Sequence, residues 1–309
     1  MYNAEQKLRY INECGFTGEK LQKHISIFES ISPIEEELGM DVCEMDADGI
    51  QRVTSRVIGV RSQSLARISY LRSYIRWCVR QGIPGATLCF ESVRPSNVER
   101  IGQVAIANPL RLQIYLDAVF KPENILGIDN TYRAIFWLAY AGVKQDDVWE
   151  IRKQNINLDD MTVEFDERSF PIYREGIRAI RNCVELDYFV RNHPRTGKPT
   201  QYKRVESDFL LRGVRTNPIR STIMRIIERQ VSDAKKSGRV DIKLSYTNTL
   251  FSGRMYRQYE MEQAGMPPDF WSDVLYDTED SRSANIDKER VRLVRCYKQD
   301  YENWKQLYH

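Results

Sequence analysis

Apolar residues recur at intervals of three and four along most of this chain, and the helices they predict organise it. Leu21, Ile25, Ile27 and Phe28 follow this spacing, with Thr17 placed to cap their helix. Ile50, Val53 and Val57 mark a second helix. The clearest stripe is Leu65, Ile68, Leu71, Ile75 and Val79, after Ser62 or Ser64 as N-cap and before Gly82 and Pro84 as a stop. Residues 90–112 hold two prolines and no clean period, so a linker with room for one short helix is expected, with a boundary near residue 105. Beyond it the pattern predicts helices over 110–120 and 131–142, the latter very apolar, capped by Asp129 or Asn130 and ended near Gly142. A short helix and a turn follow. Residues 161–165 and 169–173 read as two strands joined by Asp166-Glu167-Arg168. A helix is expected over 174–192, with Ile177, Ile180, Val184 and Tyr188 on one face. The basic loop 191–204 reads as exposed, and Asn217-Pro218 opens a helix with Ile219, Ile223, Ile226, Ile227 and Val231 inward. Residues 250–277 read as a helix, a break at Gly265-Met266-Pro267-Pro268, and a second short helix. The chain closes on a stripe of Val294, Tyr297, Tyr301, Trp304 and Tyr308. The fold class is therefore mainly α with a small β-hairpin or sheet. A helical domain is expected over 1–105 and a second domain over 106–309.

Composition narrows the function classes. The 309 residues, 42% hydrophobic and 29% charged, suit two soluble domains with real cores. No run reaches the roughly 18 apolar residues of a membrane span, and the N-terminus lacks the apolar stretch of a signal peptide. Six scattered cysteines without a C-x-x-C pair predict reduced thiols in a cytosolic protein. Three histidines far apart in sequence predict no metal site, and nothing suggests a cofactor. A net charge of +3 is only weakly basic, so any nucleic-acid contact must come from clustering. Arg72, Arg76 and Arg80, four apart, line up beside the clearest stripe and read either as a solvated face or as a backbone-tracking arm on DNA.

In order of elements and in local motifs, the chain resembles the tyrosine recombinase (phage integrase) family. The family's first box, T-G-L-R-x-x-E-L followed by a D-I-D-L turn, corresponds to Ala141-Gly142-Val143-Lys144-Gln145-Asp146-Asp147-Val148 and Asn155-Ile156-Asn157-Leu158-Asp159. The second, H-x-x-R with a Gly eleven residues on, corresponds to Phe251-Ser252-Gly253-Arg254 and Gly265. The third, L-G-H or L-G-W, falls on Leu275-Tyr276-Asp277. The resemblance implies a helical core-binding-like N-terminal domain and a catalytic-like domain ending in an amphipathic helix.

The family's reaction is transesterification at a phosphate by a tyrosine, with arginines on the nonbridging oxygens and Lys and His moving protons. Here the departures dominate. Lys144 stands at the first Arg, keeping charge but losing the planar fork. Phe251 replaces a His and cannot exchange a proton, Asp277 replaces another and would repel a phosphate, and Arg168 stands near the hairpin Lys. No Tyr lies at the nucleophile's expected place near Asn285-Ile286; Tyr297 and Tyr301 are the next. Arg254 alone matches without change. The chain also resembles integrase-like lysogeny repressors, such as the master repressor of SPβ-type prophages, in general plan and in the Ser252–Tyr259 run.

The expected function is accordingly a non-catalytic, sequence-specific DNA-binding regulator of a phage or prophage, in a bacterial cytoplasm and associated with the nucleoid. The two domains would grip one duplex, with Arg72, Arg76, Arg80, Lys144, Arg168, Arg254 and Arg257 on phosphates. The alternative is a divergent recombinase using Lys144, Arg254 and Tyr297 or Tyr301. A third reading is a protein-interaction scaffold with no DNA role, whose C-terminal helix either docks on another subunit, which would also make a homo-oligomer, or folds back on its own domain.

Overall fold

The stripes of the first eighty residues become helices α1 (Ala4–Glu13), α2 (Gly18–Leu38), α3 (Ala47–Val57) and α4 (Gln63–Arg80). The computed structural model describes residues 1–57, 63–92, 98–120, 127–193, 195–213, 220–281 and 285–309. Ser62 and Asn217-Pro218, expected to open helices, and Leu65 and Ser64 as side chains lie outside what is described. Contacts divide the chain into two units: Met1–Gly102 with Phe270–His309, and Gln103–Asp269.

In the first unit, Tyr10, Phe28, Tyr74 and Trp77 form an aromatic centre, with Tyr74 5.2 Å from Tyr10 and 5.0 Å from Phe28, ring to ring. A buried polar knot sits beside it. Lys7 and Glu35 are both fully buried, with Lys7 Nζ 2.5 Å from Glu35 Oε2 and 3.5 Å from Asp41 Oδ2. Tyr74 donates to Asp41 at 3.0 Å, which ties α4 to the turn after α2. Gly39 ends α2 in the left-handed region at φ 67, where a side chain would be strained. The stretch read as a linker is not free chain. It holds α5 (Cys89–Ser92) and α6 (Val98–Val104), which spans the division between the units; Ile101, counted with the first unit, and Val104, Ala105 and Ile106, counted with the second, are all buried. The short helix for which the sequence left room is α6, and the apolar residues at its end are packed. The first unit also contains α12 (Phe270–Thr278) and α13 (Ile286–Tyr308). Tyr301 lies 5.5 Å from Phe270, so the terminal aromatic stripe packs on α12 within the chain.

The second unit is built around α8 (Asp129–Ala141), buried at every position from Asn130 onward. A helix buried all round is a core helix, as its apolar sequence implied. The order of this unit begins with α7 (Pro109–Val119), capped by the Asn108 side chain, which accepts from Arg111 N at 2.8 Å. After α8 come two short 3-10 turns and an antiparallel sheet, β1 (Ile156–Asn157), β2 (Thr162–Phe165) and β3 (Arg168–Pro171). Then follow α9 (Ile177–Glu185), β4 (Tyr188–Asn192), β5 (Pro199–Lys203), α10 (Arg220–Lys236) and α11 (Tyr246–Gln263).

Two expectations fail here. The helix over 174–192 stops at Glu185, and the exposed loop 191–204 is the β4–β5 hairpin, in register from Tyr188↔Lys203 to Asn192↔Pro199. Tyr188, Phe189 and Val190 are strand formers, and the buried Phe189 stacks on Tyr202 at 5.7 Å. The expected hairpin near 161–173 forms as β2–β3, but Arg168 belongs to the strand, and Asp166 and Glu167 alone turn the chain at φ 50 and 58.

Candidate nucleic-acid interface

Ala141–Lys144 of the first box and Phe251–Arg254 of the second lie where α8 meets α11, while Asn155–Asp159 lie at β1 and the turn after it. Gly142 closes α8 at φ 113, a conformation suited to glycine. A Cβ there would strike the Arg257 guanidinium, which donates to the Ala141 carbonyl at the helix end. Arg257 thus covers the negative end of the α8 dipole, a structural task beside any phosphate contact. Lys144 is partly exposed, with Nζ 3.9 Å from Asp147, and Tyr246 donates to the Val143 carbonyl at 2.9 Å. The N-terminal half of α11 faces inward. Phe251 is 2% exposed, and Ser252 Oγ accepts from Ile106 N at 2.9 Å while donating to the Asn248 carbonyl at 2.7 Å. A Cβ at Gly253 would overlap the backbone of Tyr140, so only glycine lets the two helices approach this closely. Arg254 is 2% exposed; the phosphate contact expected of it meets a covered guanidinium. Arg168 is half-buried at the start of β3. Tyr256, from the Ser252–Tyr259 run, packs on Tyr140 and Tyr173 at 6.1 and 5.8 Å. Burial holds the hydroxyls of Tyr140 and Tyr173 well above the ordinary tyrosine range.

The remaining family positions lie in the other unit. Tyr297 is buried on α13, and its hydroxyl donates to Asp277 Oδ2 at 2.5 Å. Tyr301, 1% exposed, stacks with Trp304 at 6.3 Å. Of the α4 arginines, Arg72 is half-buried with its guanidinium 5.6 Å from the Phe90 ring. Arg76 and Arg80 are exposed, Arg76 lying 2.7 Å from Glu91. That hydrogen bond holds the Glu91 carboxyl below the ordinary range. The sequence thus aligned three arginines, and packing separates them, with one on the core and two in solvent.

Buried cations of the second unit escaped sequence reading. Arg133 is 4% exposed and reaches Asp117 at 2.5 Å. Arg204 and Arg212, 3% and 4% exposed, lie at the base of the β4–β5 hairpin. Arg133 interrupts the apolar run of α8 and Arg212 the short apolar piece Phe209-Leu210-Leu211, the local hints; Arg204 ends a basic stretch that reads as surface. Among the described residues no group of three His, Cys, Asp or Glu is placed to hold a metal ion. No described helix is long and apolar enough to cross a membrane.

Residues 1–81 match the family model described as "MrpR, N-terminal core-binding domain". No curated protein matches the chain. Among solved structures, XerA recombinase is similar at 11% identity and TM-score 0.39, covering 99% of this chain and 97% of that one. The Tn1549 transposon integrase, in complex with a circular intermediate DNA, is similar at 12% identity and TM-score 0.40, covering 93% of each chain. Lambda integrase bound to DNA is similar at 13% identity and TM-score 0.33, over 86% of this chain and 89% of that one.

Proposed function

We propose that this chain is a sequence-specific DNA-binding regulator, a lysogeny repressor of a phage or prophage, on a recombinase plan that no longer transfers strands. The observation that carries this reading is Phe251, 2% exposed in the core where strand transfer would need a proton-exchanging histidine. Tyr297 adds support, being buried on a helix whose aromatic face is packed. DNA contact is supported by the core-binding description matched by residues 1–81, a segment that carries the exposed Arg76 and Arg80. Those two arginines are the best placed for phosphate contact, since a cation must reach solvent to replace counterions. Lys144, partly exposed, is a further candidate.

The test combines genomic footprinting of the bound protein with a suicide DNA substrate run on a denaturing gel. Discrete protected sites and no covalent protein–DNA band are expected. A second reading is favoured by one observation. The Asp277 carboxylate 2.5 Å from the Tyr297 hydroxyl is within reach to accept its proton, as a nucleophile's base would be. A covalent band that disappears in Tyr297→Phe would establish that divergent recombinase and end the repressor reading.

A further inference from the structure

A cavity of about 320 Å³ opens at the base of the β4–β5 hairpin, lined by none of the residues assigned above to DNA. That volume is at the small end of the range for ligand sites, roughly 300–1,000 Å³. Arg204 lines it while only 3% exposed. Its Nη2 donates to Thr131 Oγ1 at 3.2 Å, whereas Nε and Nη1 are buried with no hydrogen-bond acceptor among the described residues. A buried guanidinium with idle donors is costly, and an oxyanion is the group that relieves it best. Neighbouring Arg212 is differently placed. Its Nη1 lies 2.7 Å from Asp187, and its Nη2 donates to the Leu186 carbonyl at 2.9 Å. Lys153 lies 3.7 Å from the same Asp187, and the Arg212 hydrogen bond keeps that carboxyl below its ordinary range and so charged. Lys203 completes a basic wall.

Two further acids, Glu206 and Asp208, share the lining. They would repel the continuous row of phosphates of a duplex, yet they supply acceptors for hydroxyl groups. From this combination we propose that the cavity binds a small hydroxylated phosphomonoester, its phosphoryl group on Arg204 and its hydroxyls toward the acids. The site is independent of the DNA-binding reading.

Titrating the full chain with inorganic phosphate and with ribose 5-phosphate, at fixed ionic strength, tests this by thermal melting and calorimetry. A saturable rise in melting temperature is expected with both, tighter for ribose 5-phosphate and absent with ribose. Arg204→Gln should abolish it. Because that variant also removes the Thr131 hydrogen bond and with it some stability, Lys203→Gln on the exposed strand is the second probe. It should melt like the parent without ligand, bind ribose 5-phosphate several-fold more weakly, and bind DNA unchanged. No saturable response in the parent protein would overturn the proposal. So would an undiminished response in Lys203→Gln, or displacement of ribose 5-phosphate by a random-sequence duplex.

Discussion

Lys7 and Glu35 illustrate how much one buried pair governs in the N-terminal helices. Burial outweighs the attraction of Lys7 and pushes the Glu35 carboxyl up to about 7, from an ordinary 4.5. The folded state then holds this proton more tightly than the unfolded chain does. Its contribution to stability is full below about pH 4.5 and is lost as pH rises through about 7. Glu35→Gln should therefore flatten the fall in stability across that window, measured by denaturant unfolding at several pH values; an unchanged slope would refute the assignment. Lys7→Met should cost about 3–5 kcal/mol at neutral pH, the scale for stranding a buried charge, and distinctly less near pH 5 where Glu35 takes up a proton. Neither residue was legible as buried in the sequence, since each lies in a polar stretch and they meet across 28 positions. Leu71, Ile75, Tyr297 and Trp304 were legible, because a stripe states its own buried face. Arg254 shows the limit: its spacing pointed to a site, but spacing carries no information on what covers a side chain.

Helices with long apolar periods were readable as elements, while the ends of elements depended on contacts made far away. α9 continued on paper to residue 192 because Val184 and Tyr188 keep helical spacing; Phe189 on Tyr202 turns that stretch into strand. The β2–β3 hairpin was readable from its alternating residues, yet its turn places Asp166 and Glu167 in the left-handed region. That conformation costs a residue with a Cβ roughly 1–2 kcal/mol, and a two-residue hairpin turn favours Asn-Gly there. Glu167→Gly should thus raise stability by about 1 kcal/mol, offset partly by the entropy glycine regains when unfolded. A lower unfolding midpoint in that variant would mean that Glu167 makes a compensating contact. The opposite substitution marks the α8–α11 contact. Gly253→Ala would force the two helices apart at Tyr140 and should destabilise the second unit by more than 3 kcal/mol, read as a loss of cooperative unfolding or of soluble protein. This glycine sits inside the second family box, so a motif that suggests chemistry also records a packing requirement.

At the level of the whole chain, the charge balance decides what kind of DNA binding is possible. A net charge of +3 in 309 residues gives little long-range pull, so affinity has to come from a few local contacts. Counterion release makes this measurable: log K falls with log salt at about −0.9 per phosphate neutralised. If Arg76 and Arg80 each hold one phosphate, the double change to Ala should make the slope shallower by roughly 2 and weaken binding alike on target and non-target duplexes. Loss of discrimination between the duplexes, with the slope kept, would instead place these arginines on base edges. Arg76 must also leave Glu91 to reach a phosphate, so Glu91→Gln should tighten DNA binding without altering specificity. Arg254→Ala separates the sequence reading from the structural one. A contact on DNA predicts a slope shallower by about 1 in a protein of normal stability. A buried structural cation predicts lower thermal stability and, below the melting range, an unchanged slope; its 2% exposure makes this the expected outcome.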